Sequence, residues 1–304
     1  MKVKAFIYVI LAGVLWGTSG IFVHYLSPYG FSSLEMTAVR GTVSFIAMLI
    51  YVLIANRGLL RVRAVDLIFF LAIGATLFGT ASLYYTAMQM TSVSTAVVLM
   101  YTAPVYVTVF SVLFMSERLS GMKILAIALM LVGCSLVSGI VGGLKFDAIG
   151  ILVGALTGIV YAAYNILTKL ALKRGAHPVS TTLYAFLFMS VIAMSVAGPA
   201  NIVTHASRDT HIVIPLLICI GFATCVIPYF LYTTGMRTLT ASTATALGIV
   251  EPMSATVFSI LLLGESADIF SGLGIVLILA AVLLLGRSDG SADDSKKFQN
   301  NKDN

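Results

Sequence analysis

The sequence predicts an all-α polytopic membrane protein: ten transmembrane helices, arranged as two inverted five-helix repeats around a central cavity. Three observations carry this. The 304 residues are 59% hydrophobic and 10% charged, with mean hydropathy +1.03, far from the roughly 25% charge of a soluble domain. Crossing a ~30 Å hydrocarbon core takes about 20 apolar residues in a helix, and ten such runs fit: 5–26, 34–55, 67–88, 95–115, 121–140, 149–171, 180–198, 212–235, 242–263 and 269–287. Third, Ala75–Glu117 aligns without a gap on Ala223–Glu265, 148 positions further on, with 17 of the 43 pairs identical.

The identities include Tyr84/Tyr232, Met88/Met236, Ser94-Thr95-Ala96 against Ser242-Thr243-Ala244, Pro104/Pro252 and Glu117/Glu265. Shared apolar composition supplies matched Leu and Val, but not a proline and an acid thirteen apart in both copies. A period this long means two fused halves rather than a solenoid. The predicted boundaries are 1–140 for the first repeat, 149–287 for the second, and 288–304 for a polar tail expected to be disordered. Five spans per half is odd, so the second half enters the bilayer upside down. Inverted repeats build a site near the midplane that opens alternately to either side. That points to a carrier.

Charge sets the orientation. With Lys2 and Lys4 inside, 15 of the 18 basic residues fall in the cytoplasmic loops and tail, only Lys145 and Arg208 fall outside, and Arg40 lies within a span. The positive-inside rule then puts both termini in the cytoplasm, and the expected location is the cell membrane. The +6 charge is then a set of juxtamembrane anchors, not a nucleic-acid face. Span 1 is too long for a signal-peptide core and lacks a cleavage site, so it is retained. Cys134, Cys219 and Cys225 lie in spans without metal-ligand spacing and read as free thiols; no metal or cofactor is expected.

Taken in order, span 1 places Gly13 and Gly17 at small-xxx-small spacing, which lets helices approach closely; span 6 repeats the device with Gly150, Gly154 and Gly158. Trp16, the single tryptophan, sits mid-span rather than at an interface, which leaves a cavity wall or plain packing. His24 reads as an interface residue, with a proton relay as its alternative. In span 2, Arg40 reads as a structural anchor snorkelling to head groups rather than a substrate contact, and Glu35 is not placed to guarantee a pair with it. Spans 3, 4, 6 and 8 carry Tyr84, Tyr85, Tyr101, Tyr106, Tyr161, Tyr164, Tyr229 and Tyr232. A mid-span tyrosine facing lipid leaves its hydroxyl without a partner, so these are expected to point inward. Trp16, Tyr84, Tyr101, Tyr161 and Tyr232 are the expected aromatic lining of a cavity suited to small organic molecules. Pro104 in span 4 and Pro252 in span 9 each remove a helical hydrogen bond, as a hinge or as a fixed kink. Glu117 and Glu265 end their spans, where the dipole and free N–H groups of the next helix favour a structural carboxylate.

Glu251 is different. It lies deep in span 9 next to Pro252, and its repeat partner is Ala103. A charged residue at such depth costs ~2.5–3.5 kcal/mol on insertion scales and rarely faces lipid. It is expected in the cavity, as a proton-coupling site or as the partner of a cationic substrate group, against the alternative of a buried structural acid.

The span 1 sequence Leu-Trp-Gly-Thr-Ser, the span 2 arginine, the Pro104–Glu117 spacing echoed at Pro252–Glu265, and the five-plus-five arrangement resemble the EamA-type branch of the drug/metabolite transporter superfamily. The likeness covers about residues 5–287. It implies a cavity formed mainly by spans 1, 3, 4, 6, 8 and 9, and transport of small metabolites, amino acids or related compounds, often outward. Span 6 departs from the pattern, because the 148-residue offset from Trp16 falls on Tyr164, with Tyr161 one turn earlier; no second tryptophan site carries over.

Other classes fit less well. The chain has no HExxH, no paired intramembrane aspartates and no Gly-x-Ser-x-Gly elbow, so no enzyme is expected. It has no nucleotide-binding loop for ATP-driven pumping, and its loops are too short for a receptor domain. The expected function is a secondary transporter that exports a small organic metabolite (an amino acid, a related compound or a drug-like molecule) by alternating access. An uncoupled facilitator or an importer is the alternative. Its expected partners are the substrate, the lipid bilayer and protons as a candidate coupling ion, in a monomer or homodimer.

Overall fold

The computed structural model describes residues 2–117, 119–139, 147–264, 266 and 268–300, with side chains as far as Arg287. Among these residues every regular element is helical. Span 1 is two helices, Lys2–Gly17 and Ser19–Leu26; span 2 is Ser33–Ala55 and span 3 is Ala64–Met90. Span 4 is again split, into Val93–Met100 and Ala103–Met115, and span 5 is Gly121–Val137. In the second half, span 6 is Ala148–Lys173 and span 7 is Pro178–Ala197. Span 8 joins Thr210–Gly221 to Ile227–Met236 through a π-helical turn at Phe222–Val226; span 9 is split into Ala241–Leu247 and Val250–Leu263; span 10 opens the helix Ile269–Asn300. Among the described residues, nine of the spans are long and apolar enough to cross a bilayer, and the tenth, Gly121–Val137, is a shorter apolar helix of 17 residues. The chain between spans 7 and 8 holds one short helix, Pro199–Ala206, entered through Gly198 at φ +70°. The backbone of the last helix continues to Asn300 through the tail expected to be disordered, a stretch with no proline to end it.

The interruptions have local causes. Pro104 and Pro252 lie in the first turn of the second half-helix of spans 4 and 9, where a missing N–H is one of the unpaired ones anyway. They therefore restart a helix that has already stopped, rather than bending a continuous one as expected from sequence. Pro228 has no N–H for the ladder of span 8, and the turn before it widens so that Ile227 N–H reaches Phe222 O. In span 1, the hydroxyls of Thr18 and Ser19 donate to the carbonyls of Leu15 (2.7 Å) and Trp16 (2.5 Å), satisfying acceptors where the helix breaks.

The packing map carries the inverted symmetry. Span 1 packs on spans 8 and 9, and span 6 packs on spans 3 and 4; span 2 packs on span 8, and span 7 on span 3. Spans 2, 4 and 5 each pack on their own counterparts, 7, 9 and 10. Exchanging each span of one repeat for its partner in the other leaves this list unchanged. Local geometry repeats too, since Ser116 and Gly264, 148 apart, both end their spans in the left-handed region, at φ +56° and +71°.

Two glycines permit close approaches beside the breaks of spans 9 and 4. A Cβ on Gly17 would lie 2.7 Å from Ser254 Cβ and 2.8 Å from Ala255 N in span 9, and one on Gly158 would lie 2.6 Å from both Leu99 O and Thr102 Oγ1 in span 4. The backbone on the far side cannot yield as a flexible side chain would. Gly17→Ala is expected to lower stability by about 1–3 kcal/mol, as overpacking does. Gly20→Ala, where a Cβ meets nothing within 4 Å, is expected to stay within about 0.5 kcal/mol. Thermal unfolding of the two variants in the same detergent checks the contrast.

Candidate functional site

Where the broken spans meet, the helices enclose a cavity of about 640 Å³. It runs from mid-depth, at Leu77, Tyr161, Thr224 and Glu251, to span ends marked by Ser33, Val93, Ser138 and Asp268. Those ends all lie opposite the chain termini. The cavity thus opens at that face and stops at the middle of the protein.

Its base is aromatic. Trp16 is 6% exposed and sits at the end of the first half of span 1, its ring 5.0 Å from Tyr229 edge-on and 5.1 Å from Tyr232. Tyr229 meets Tyr164 at 6.0 Å, Tyr164 stacks on Tyr161 at 6.1 Å, and Tyr161 meets Tyr101 edge-on at 6.3 Å. This chain of rings joins spans 1, 8, 6 and 4, and so both repeats. Tyr84 and Tyr85 pack together at 5.7 Å on the span 3 wall.

Two charged residues lie deep in the same space, and Asp268 marks its outer end. Glu251 is in the first turn of the second half of span 9, where a helix N-terminus favours a carboxylate. Its Oε2 accepts the Tyr101 hydroxyl at 2.6 Å, an arrangement possible only because the span 4 break places Tyr101 against the span 9 break. Arg40 comes from span 2, about two turns in from its outer end, with its Nε buried and unpartnered.

Of the residues expected from sequence to line a cavity, Trp16, Tyr84, Tyr101, Tyr161 and Glu251 are in the wall. Tyr232 is not. It is fully buried behind Trp16, and its hydroxyl donates to Asn165 Oδ1. Arg40 faces the cavity rather than lipid head groups, and Tyr85 and Tyr229 join the wall as well. Tyr106, expected to point inward, is 36% exposed on the outer surface. Pro252 lines the cavity beside Glu251, whereas Pro104 is buried away from it. His24 is exposed at the outer end of span 1, as an interface residue would be. The span 6 counterpart of Trp16 is Tyr161, not Tyr164. Gly13 abuts Val250 and Gly158 abuts Thr102, so these two glycines are equivalent, and each is followed three residues on by a ring in the wall.

Below the cavity, towards the chain termini, polar contacts close the structure, those of Glu117 and Lys123 between the repeats and those of Lys169 within the second. Glu117 does not cap the next helix as expected. It caps span 9 instead, accepting Ala241 N at 3.0 Å and the Ser242 hydroxyl, with Lys123 Nζ 3.5 Å away. The reason is tertiary: spans 4 and 9 pack on each other, so the end of one meets the start of the other. Lys123 Nζ also donates to Thr240 (3.1 Å), and Lys169 Nζ donates to the carbonyls of Met236 (2.5 Å) and Leu239 (2.6 Å). Ser94, the repeat partner of Ser242, instead lines the open cavity. Glu265 lies outside the described residues.

Comparison with known proteins fits this architecture. The EamA-like transporter family model matches residues 3–139 and again 148–287. The chain is 26% identical over 283 residues to the uncharacterized transporter YwfM of Bacillus subtilis (strain 168), covering 92% of both chains. It is 30% identical over 284 residues to an uncharacterized transporter of Archaeoglobus fulgidus, covering 92% of this chain and 95% of that one. A protein of known crystal structure shares the fold with a TM-score of 0.77 at 16% identity, over 93% of this chain and 96% of that one.

Cysteines introduced singly, after the three native cysteines are replaced, give a direct readout of the wall. At Tyr84, Tyr85, Tyr161 and Tyr229 they are expected to react with small membrane-impermeant thiol reagents. At Tyr106 only lipid-soluble reagents are expected to react, and at Tyr232 neither kind. Labelling at Tyr232 equal to that at Tyr229 would show that spans 1 and 8 are rotated from this arrangement.

Proposed function

This chain belongs to the EamA-like transporter family, and we propose that it is a secondary transporter that exports a small organic metabolite, an amino acid, related compound or drug-like molecule, by alternating access. The cavity carries this reading: it is built from both inverted repeats, open at one face and shut at the other. In an inverted-repeat carrier the two halves exchange conformations, so the open and closed faces interchange around a fixed mid-depth site. The break points of spans 1, 4 and 9 at that depth supply the flexible joints, with Pro104 and Pro252 fixing where the second half-helices restart. We place the chain in the cell membrane with both termini cytoplasmic, so the open face is the outer one.

The contacts below the cavity are then the inner gate. Glu117 loses its bonds to span 9 when that side opens, and Ser94 takes the closed position that Ser242 now holds. Glu117→Gln removes the charge and weakens bonds worth about 1.5–3 kcal/mol to a charged acceptor. The inward-open population is expected to rise about tenfold or more. A cysteine at Thr233, which is 2% exposed, reports this by faster labelling from the cytoplasmic side; unchanged labelling would show that Glu117 is not part of the gate.

Orientation and transport have separate tests. Tags after Arg63 and Lys173 are expected to report cytoplasm, and tags near Asp147 and Asp209 the outside. A cytoplasmic tag at Asp147 contradicts the inversion. In proteoliposomes offered amino acids, amines and aromatic metabolites, uphill movement driven by an imposed pH gradient supports a proton-coupled carrier. Exchange without uphill movement supports the facilitator, and no movement of any compound counts against transport.

A further inference from the structure

Arg40 and Glu251 face one cavity without forming a direct ion pair. No hydrogen bond or ion pair reaches the Arg40 guanidinium among the described residues, and its Nε is buried without a partner. Glu251 accepts one bond, from Tyr101 to Oε2, and makes none at Oε1 among the described residues. In the same wall, Trp16 carries a second buried donor, Nε1, that also lacks a partner.

A guanidinium stays charged in a protein, and a charge held in the interior without compensation is costly. The usual structural remedy, a direct ion pair, is absent although a carboxylate lines the same space. Neither charge belongs to the symmetric scaffold. The repeat partner of Glu251 is Ala103, and the residues at the corresponding level of span 7 are Ala185-Phe186-Leu187-Phe188.

We propose that the space between Arg40 and Glu251 is the substrate site, and that the substrate is a zwitterion of the amino acid type, its ammonium on Glu251 and its carboxylate on Arg40. This rests on the transporter reading above. The ammonium donates to Glu251, whose position Tyr101 holds. The carboxylate accepts from the forked guanidinium, the pairing for which two parallel N–H groups are suited, and from Trp16 Nε1. The side chain lies against the rings of Trp16, Tyr84, Tyr161 and Tyr229. Simpler ligands fail on charge. An amine leaves Arg40 without a direct partner, a carboxylic acid leaves Glu251 Oε1 without one, and a neutral solute pairs with neither charge.

Trp16 is the only tryptophan in the chain, so its fluorescence reports occupancy of this site without any transport assay. The purified protein in detergent is titrated with the protein amino acids other than tryptophan, and each that binds is compared with its N-acetyl form, which lacks the ammonium, and its decarboxylated amine. The expected result is saturable binding of at least one amino acid, weakened about tenfold or more in either derivative, the effect of losing a charge-assisted contact. Glu251→Gln is expected to weaken the amino acid by a similar factor but leave its N-acetyl form unchanged, and Arg40→Gln to do the same for the amine. Arg40→Lys, which keeps the charge, is expected to retain part of the binding, and thermal unfolding shows that each variant is folded. Three results overturn the proposal: no amino acid binds, a derivative binds as tightly as its parent, or Glu251→Gln binds the amino acid normally and loses only pH-driven uptake in proteoliposomes. If another metabolite is transported while no amino acid binds, the transporter reading stands and the zwitterion falls. If an amino acid binds but nothing crosses the bilayer, the site stands and the transporter reading falls.

Discussion

A backbone that breaks its helix inside a hydrocarbon layer must find partners for its freed N–H and C=O groups in protein or in a water-filled space, because lipid offers none. Spans 1, 4 and 9 all break near mid-depth, and span 8 loosens there into a π-helical turn. The breaks can exist only where they face one another and a cavity. Thr18 and Ser19 satisfy carbonyls of span 1 locally, and the remaining breaks converge at Tyr101 and Glu251. The polar centre of the protein is therefore located by the helix breaks, and the aromatic wall packs around it.

The duplication supplies those breaks in register. Because the second repeat is inverted, the end of span 4 meets the start of span 9, and a carboxylate at one span end caps the other repeat's helix rather than its own neighbour. Such cross-repeat contacts can form fully at one face while the equivalent positions at the other line an open cavity, as Ser242 and Ser94 do. The fold is symmetric and its conformation is not. The charges at the centre break the symmetry in a second way, since Arg40 and Glu251 have no counterparts, and so the scaffold is duplicated while the chemistry of the site is single.

Packing and chemistry compete for the same residues here. Gly13 and Gly158 let spans 1 and 6 lie directly on the breaks of spans 9 and 4, which brings Trp16 and Tyr161 to equivalent places in the wall. Larger residues there would hold the helices apart and separate Tyr101 from Glu251. The ring chain from Trp16 to Tyr101 is accordingly both core and cavity lining.

Much of this was legible in the sequence, because span length, charge bias and internal repetition are properties of the chain alone. Hydrocarbon thickness demands about 20 apolar residues per crossing whatever the packing, and the proline–glutamate spacing declares the duplication. Glu251 stood out because a carboxylate at that depth requires a reason. Rotation about a helix axis was not legible. Nothing local tells that Tyr229 faces the cavity while Tyr232, three residues on, bonds Asn165 behind it, or that Tyr106 turns outward. The rigid 148-residue offset also pointed to Tyr164 as the partner of Trp16, whereas the glycine contacts single out Tyr161, because helices in the two halves match by what they touch and not by counting. Arg40 read as an anchor from its distance to the surface, and Glu117 as a cap for its neighbour. Only the packing of spans from opposite repeats put one beside the cavity and the other on span 9, since each partner lies more than a hundred residues away and only folding brings it near.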